Sequence, residues 1–243
     1  MTARGLVSVE AAEPRVARVD RARLTACALA ATPTAMQDPA QYLAPTSFVD
    51  SDHPDVVAFA ERAGGAATDP SGRAALLFRA VRDGFRYDPY SVSRDPADYR
   101  ASAIVHTKRA FCIPKAVVLV ASARALGIPA RLRFSDVKNH LSSERLRARM
   151  GTDLFVYHGT ADLWLGGRWV RASPAFDRNL CEHFGVPPLE FDGVNDAVFS
   201  AFDAEGREQM VYVRDHGSFA DLPFEEIARA FVATYGDEAP SDA

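Results

Sequence analysis

One apolar segment constrains the fold of this chain more than any other feature. It follows Cys112 and Pro114, and its residues 115–126, KAVVLVASARAL, are apolar on nearly every side. A helix that is apolar all round has to be buried. Proline is tolerated in a first helical turn, and Gly127 with Pro129 ends the pattern. The sequence therefore predicts a central buried helix with Cys112 at its N-terminus.

Helical patterns precede this segment and strand patterns follow it. The expected helices are 15–31, 54–65, 68–89 and 222–236. The expected strands are 130–137, the two arms around Gly166-Gly167, and 209–219. An extended segment with four prolines covers 33–55, and a polar segment covers 139–153. Helices followed by an antiparallel sheet indicate an α+β fold. We predict one domain over 15–236, with flexible termini at 1–14 and 237–243.

The strand register can be predicted from the paired glycines 166 and 167, which are typical of a two-residue hairpin turn. Leu165 then pairs with Arg168, and His158 lies opposite Ala175. Side chains alternate between the two faces of a strand. His158 is therefore expected on the same face as residues 173 and 177.

Composition excludes several classes of function. The 243 residues carry a formal net charge of −4, which provides no electrostatic surface for nucleic acid. No apolar run reaches the ~18 residues of a membrane span, and the first residues do not follow the pattern of a secretory signal. We therefore expect a cytoplasmic protein that does not associate with membranes. Cys27, Cys112 and Cys181 are too far apart to predict a disulfide framework or zinc site, so no cofactor is expected.

Cys112 has the position of an activated nucleophile. The N-terminus of a helix and nearby cations lower the pKa of a thiol, and Lys108, Arg109 and Lys115 are close in sequence. The free N–H groups of the first turn could also hold an oxyanion. The alternative is a buried, inert core cysteine. Lys115 is interpreted either as a surface residue or as an aid to thiolate formation.

His158 is the candidate base, and two carboxylates compete to orient it. Asp177 is one diagonal step away across the predicted hairpin. Asp136 ends the preceding strand and lies beside the start of the His158 strand if the two are antiparallel. An orienting carboxylate would fix the imidazole tautomer. The alternatives are a surface histidine and two aspartates at turns or strand ends.

Residues 73–178 resemble the transglutaminase-like superfamily of papain-type cysteine enzymes. The resemblance rests on LFRAVRDGFRYDP, on C-x-x-K-A-x-x-L-x-x-x-A-R-A-L-G-I-P-A-R from Cys112, and on H-x7-G-G-R-W-V-R-A-S-P-A-F-D from His158. It implies a papain-like fold in which Cys112 and His158 are catalytic and a third residue supports the histidine.

The chain departs from the superfamily pattern at the third member. Ser173-Pro174-Ala175 stands where members usually have Asp-Pro-Thr. A serine can bond to an imidazole but cannot offset its charge. We therefore expect an aspartate elsewhere to support His158, with Asp136, in the polar cluster SDVKNH, ranked before Asp177. Phe111 stands where members usually have a glycine-rich segment before the cysteine, and it predicts a narrower or more apolar acyl pocket.

The resemblance implies acyl transfer through a thioester on Cys112. If water accepts the acyl group, the enzyme is a peptidase or amidase. If an amine accepts it, the enzyme is a transamidase, and if a carbon of the same acyl chain accepts it, the product is a ring. In the order of its candidate catalytic residues and in its size, the chain resembles stand-alone Dieckmann cyclases. These enzymes take an acyl chain from a carrier-protein thioester and form a tetramate or pyridone. This off-loading reaction is the preferred hypothesis, with an acyl or peptidyl carrier protein as the expected partner. The remaining alternative is an inactive transglutaminase-like binding module.

Overall fold

The computed structural model describes residues 38–201 and 209–236. The helix predicted over 15–31 and the termini 1–14 and 237–243 lie outside these ranges. The helices are α1 (Pro54–Gly64), α2 (Pro70–Gly84), α3 (Ala101–Ile104), α4 (Cys112–Ala125), α5 (Glu144–Met150), α6 (Arg178–Phe184) and α7 (Phe224–Tyr235). The strands are β1 (Arg86–Tyr87), β2 (Arg109–Ala110), β3 (Ala130–Asn139), β4 (Leu154–Leu165), β5 (Arg168–Ala172) and β6 (Met210–Phe219).

Helix α4 is the centre of the fold, as its sequence predicts. Residues 112–124 are all buried, so the helix is enclosed on every side. Its end has the two bonds of a Schellman motif: Gly127 N–H donates to Arg124 O, and Ile128 N–H donates to Ala123 O. Gly127 has a φ of 78°, a conformation that glycine adopts without steric cost.

Helices α1 and α2 each begin with a proline and a side-chain cap. Pro54 and Pro70 occupy first turns, and the Asp69 carboxylate accepts the Gly72 N–H at 2.8 Å. These bonds satisfy N–H groups that a helix leaves free at its start. His53 caps α1 in the same way, since its Nδ1 accepts the Asp55 N–H.

The main sheet has the order β5-β4-β3-β6, and every neighbouring pair is antiparallel. The hairpin has the predicted register, with Leu165 opposite Arg168 and Ala161 opposite Ala172. The antiparallel pairing of β3 with β4 is likewise confirmed. Helix α4 packs on β4, and the buried side chains of both form one core. The α+β architecture with helices first and an antiparallel sheet after them is therefore confirmed.

Two short elements fix the chain immediately before Cys112. Strands β1 and β2 pair in parallel, Arg86 with Arg109 and Tyr87 with Ala110. Strand β2 ends at Ala110, and Cys112 begins α4 only two residues later. The start of α4 is therefore tied by backbone bonds to the segment that follows α2.

Candidate active site

Gly159 brings strand β4 into backbone contact with the start of α4. A Cβ atom at this position would lie 3.0 Å from Ile113 Cα and 3.3 Å from Cys112 O. A side chain would therefore push strand and helix apart. The contact brings the backbone of β4, next to His158, against the backbone of Cys112 and Ile113.

The Cys112 thiol is buried, with 9% of the residue exposed. Burial raises the pKa of Cys112 to about 11. The backbone N–H groups of Gly159, Ile113 and Cys112 itself act in the opposite direction, because they stabilise the anion. Cys112 is thus a neutral thiol at neutral pH, in a site whose fixed dipoles favour negative charge on sulfur.

His158 is buried as deeply, with 4% exposed. Burial lowers the pKa of the imidazole to about 4. At neutral pH the ring is uncharged and can accept a proton. The free site therefore holds a thiol and an imidazole rather than a standing thiolate–imidazolium pair.

Ser173 is the residue that contacts the His158 ring. Its Oγ lies 3.4 Å from His158 Nε2, and only 1% of the residue is exposed. Its backbone N–H donates to Ala197 O at 2.8 Å, which holds the chain just beyond β5. The third position of the superfamily pattern is therefore occupied by a hydroxyl in hydrogen-bonding reach of the imidazole.

Asp177 does not support His158 and has a different role. Its Oδ1 accepts the Leu180 N–H at 3.1 Å and its Oδ2 accepts the Tyr87 N–H at 2.6 Å. Asp177 caps helix α6 and anchors β1. The prediction followed the strand alternation past Ala172, where β5 ends, so the inferred shared face does not extend to residue 177.

Asp136 also bonds to partners other than His158. Its Oδ1 accepts both the His216 Nε2–H at 2.7 Å and the Tyr157 N–H at 3.0 Å. The residue that pairs with His158 on β3 is Ser135. Strand β3 does not end at Asp136 but continues to Asn139. The Asp136 carboxylate binds the backbone one residue before His158 and a histidine on β6.

Strand β4 is irregular immediately before His158. Ser135 pairs with His158 and Val137 with Phe155, so two residues of β4, Val156 and Tyr157, lie opposite one residue of β3. Tyr157 has a φ of 54°, a left-handed conformation that costs a residue other than glycine ~1–3 kcal/mol. Such a β-bulge changes the direction in which the next side chains point.

Lys115 is neither a surface residue nor mainly an activator of the thiol. It is fully buried, and its Nζ donates to Arg82 O at 2.8 Å, Phe85 O at 2.9 Å and Ala175 O at 2.7 Å. Burial lowers the pKa of Lys115 to about 7, while the carboxylate of Asp177 raises it. Lys115 therefore joins α4 to the end of α2 and to the segment that carries Ser173.

Cys112 and His158 line the same cavity. It is small, about 40 Å³, and its other walls are mostly aromatic and aliphatic: Tyr87, Pro89, Val92, Phe111, Met150, Phe155, Val156, Phe231 and Tyr235. Phe111 is part of this wall, and the pocket is narrow and apolar as the sequence predicts. The cavity has room for the reacting carbonyl group but not for a long chain.

A larger apolar groove adjoins this cavity. It measures about 350 Å³, and its walls include Val92, Tyr99, Ile113, Phe224, Ala228 and Phe231. Val92 and Phe231 belong to both walls, and Ile113 follows Cys112 directly. This volume is within the range of ~300–1,000 Å³ that small-molecule sites occupy.

The described residues contain neither a cluster of metal-ligating side chains nor a helix that could span a membrane. No group of three His, Cys, Asp or Glu side chains is arranged to bind an ion in residues 38–201 and 209–236. Within the same ranges, no helix has the length and hydrophobicity to cross a bilayer. Cys112 and Cys181 are free thiols.

Residues 57–174 match the model of the transglutaminase-like superfamily. This range contains α4, His158 and Ser173, and it confirms the resemblance seen in the sequence: residues 57–174 form a domain of the transglutaminase-like superfamily. A crystal structure from Cytophaga hutchinsonii, named a "putative cysteine protease", is similar at 15% identity and a TM-score of 0.43; the match covers 74% of this chain and 46% of that one. No curated protein matches the sequence.

Sequence reasoning does not find the residues that support the bulge before His158. His216 lies on β6, and the sequence does not show that β6 pairs with β3. Tyr157 lies on β4 itself, but strand alternation does not reveal a bulge. Tyr235, whose hydroxyl accepts the Val156 N–H at 2.7 Å, lies 79 residues from its partner. The glycine after His158 was a usable signal, since a strand glycine often marks the close approach of another backbone.

Proposed function

We propose that the protein is a cysteine acyltransferase in which Cys112 is the nucleophile and His158 the general base. The observation that carries the proposal is the cavity that Cys112 and His158 both line, where Gly159 brings β4 against the start of α4. A buried core cysteine would need no such approach of a histidine strand to its helix start. Superfamily membership of residues 57–174 supports the same assignment.

The acylation step follows from this geometry. His158 removes the proton from the Cys112 thiol while the sulfur attacks the carbonyl carbon of the substrate. The N–H groups at the start of α4 stabilise the resulting oxyanion. Collapse of the intermediate expels the leaving group, which takes the proton back from His158. An acyl thioester then remains on Cys112.

The uncharged resting pair suits a thioester substrate. Cleavage of an amide needs strong protonation of a poor leaving group, whereas a thiol leaves readily and is similar to the attacking sulfur. A histidine that Ser173 supports without charge is therefore better matched to thioester exchange than to peptide hydrolysis. On this basis we prefer an off-loading reaction over a peptidase or amidase.

The second half-reaction is proposed to be ring closure. The acidic carbon of a β-ketoamide in the same acyl chain loses its proton to His158 and attacks the thioester carbonyl. A carbon–carbon bond forms, the bond to Cys112 breaks, and the sulfur recovers the proton. The product is a tetramate or pyridone, released in a Dieckmann-type condensation.

The apolar groove is proposed to hold the acyl tail of the substrate. The 40 Å³ cavity accommodates only the reacting end, so the remainder of a long chain has to leave it. The groove begins at Val92 and Phe231, which both sites share, and its lining is largely aliphatic and aromatic. A hydrophobic polyketide-type chain matches this surface better than a charged peptide.

Intact-protein mass spectrometry with β-ketoacyl-aminoacyl thioesters of N-acetylcysteamine tests the reaction. We expect an acyl adduct on Cys112, no adduct in Cys112→Ala, at least 100-fold slower acylation in His158→Ala, and a cyclic product. Open acid as the sole product would replace the cyclase with a hydrolase, and an amide formed from added amine would indicate a transamidase. Absence of any adduct on Cys112 would point to a binding module.

Chain length tests the groove separately. In Ala228→Trp the groove is filled, so acylation by a dodecanoyl thioester should fall at least tenfold while acetyl transfer stays within threefold. Ala233→Trp, an exposed position on the same helix, is the matched control and should leave both rates unchanged. Equal loss for both chain lengths would remove the groove from the proposal.

A further inference from the structure

Asp136 lies between two bulged strands. On β4, Val156 and Tyr157 together oppose Asp136. On β6, Gly217 pairs with Phe134 and Asp215 with Ser135, so His216 is an extra residue without a partner in the ladder. The two extra aromatic rings, Tyr157 and His216, stack with centroids 4.0 Å apart and planes 19° from parallel.

The backbone bonds lost at the β4 bulge are replaced by side chains. The Val156 N–H donates to the hydroxyl of Tyr235, and the Tyr157 N–H donates to Asp136 Oδ1. The same Oδ1 accepts the Nε2–H of His216. One oxygen atom thus connects both bulges, and it does so at the residue with the left-handed backbone.

We propose that Asp136 and His216 are a positioning pair that aims His158 at Cys112 by holding the Tyr157 bulge. The inference rests on the proposed role of His158 as the base. His158 is the first residue after the bulge, and a change in the φ of Tyr157 rotates everything that follows it. Asp136 is 8% exposed, so water cannot readily replace its carboxylate as the acceptor of the Tyr157 N–H.

The pair of variants Asp136→Ala and Asp136→Asn separates this role from a direct charge effect on His158. Asparagine keeps an oxygen at the Oδ1 position and so keeps both hydrogen bonds; alanine keeps neither. We expect acetyl transfer to Cys112 to fall at least tenfold in Asp136→Ala, since small displacements of a catalytic group are costly. Asp136→Asn should stay within threefold of the wild type. Equal loss in both variants would overturn the proposal in favour of a charge role.

Two readouts do not depend on turnover. In Asp136→Ala the Tyr157 amide should exchange its hydrogen at least tenfold faster, and the His158 ring should titrate closer to its ordinary range in NMR spectra. Asp136→Asn should match the wild type in both. If the wild type forms no adduct yet these shifts appear, the proposed function fails and the positioning of His158 stands. Unchanged exchange and titration in Asp136→Ala would overturn the positioning.

Tyr157→Gly covers the case in which Asp136→Ala does not fold. Glycine adopts a positive φ without a side-chain penalty, so the bulge should then depend less on Asp136. We expect the double variant Asp136→Ala/Tyr157→Gly to transfer acetyl within threefold of Tyr157→Gly alone, a comparison that does not need the single Asp136→Ala protein. A loss of tenfold or more between these two variants would contradict the proposal.

Discussion

The hydroxyl of Ser173 lies 3.4 Å from Nε2 of His158, at the position where the superfamily pattern has an aspartate. A hydroxyl can orient the imidazole but adds no negative charge. The charge that would stabilise an imidazolium is therefore missing at this contact, and burial lowers the pKa of His158 to about 4 without an opposing carboxylate.

Restoring the acid should change the basicity of His158. In Ser173→Asp the new carboxylate lies beside the ring, and an adjacent opposite charge raises a histidine pKa by ~1–3 units. NMR titration of the imidazole should show this rise, together with faster acylation of Cys112 at pH 7. Ser173→Asn, which adds a similar volume without charge, is the control. No difference between the two variants would mean that residue 173 does not act on His158.

Acid should destabilise the protein through His158. The pKa is about 4 in the folded state and 6.5 for the free group, so the unfolded chain binds the proton more readily. The stability linked to His158 is fully present above pH 6.5 and is lost as the pH falls to 4, about 3 kcal/mol in total. Urea unfolding at pH 7 and 4.5 should therefore show a smaller difference for His158→Gln than for the wild type. His183→Gln, at an exposed histidine, should behave like the wild type.

Removing the Lys115 ammonium should destabilise the fold strongly. Lys115→Met keeps the packed methylene chain but leaves the carbonyls of Arg82, Phe85 and Ala175 without their donor. We expect a loss of about 3 kcal/mol or more in the free energy of unfolding. Lys138→Met is the control, because Lys138 is half exposed and forms a 3.6 Å ion pair with Asp153; it should change stability by less than ~1 kcal/mol. Equal effects would show that the three hydrogen bonds of Lys115 do not stabilise the fold.

Gly159→Ala should damage activity more than stability. The added methyl group meets Ile113 Cα at 3.0 Å, and the strand has to move away from the cysteine. A shift of this kind should slow acylation of Cys112 about 100-fold. Gly84→Ala is the matched control, since a Cβ there meets nothing within 4 Å. Wild-type acylation in Gly159→Ala would show that the backbone contact is dispensable.

The regular parts of this fold could be predicted because each is determined locally. The apolar run after Cys112 allows only a buried helix, and Gly166-Gly167 determines the hairpin register, which the pairing of Ala161 with Ala172 reproduces. Asp69 caps α2 by accepting the N–H of Gly72, three positions later in the sequence. The short parallel pair β1–β2 was missed because two-residue strands carry no periodicity and form only through tertiary contacts.

The site was predicted in part for the same reason. Cys112 follows from a helix start and His158 from the strand before the Gly166-Gly167 turn. Strand β4 begins at Leu154, four residues before His158, and the structure brings both residues to one cavity. The supporting residues depend on exceptions to regularity: β5 ends before Asp177, and bulges direct Asp136 toward His216. An inserted residue in a strand changes which face every later side chain occupies. On β6 a local signal exists, since Gly217 follows His216 with a φ of 88° and a strand glycine often marks a bulge. Val156 and Tyr157, at the β4 bulge, give no such signal.

Helix α7 contributes both to the wall of the groove and to the bulge before His158. Phe231 lines both the groove and the cysteine cavity, and Tyr235, four residues later, holds the N–H of Val156 in the bulge before His158. Because the groove is proposed to hold the acyl tail, we expect that replacing this helix to change chain-length selectivity will alter acylation of Cys112 as well. A library that randomises groove positions while keeping Tyr235 would separate the two properties, whereas wholesale grafting from a relative would not.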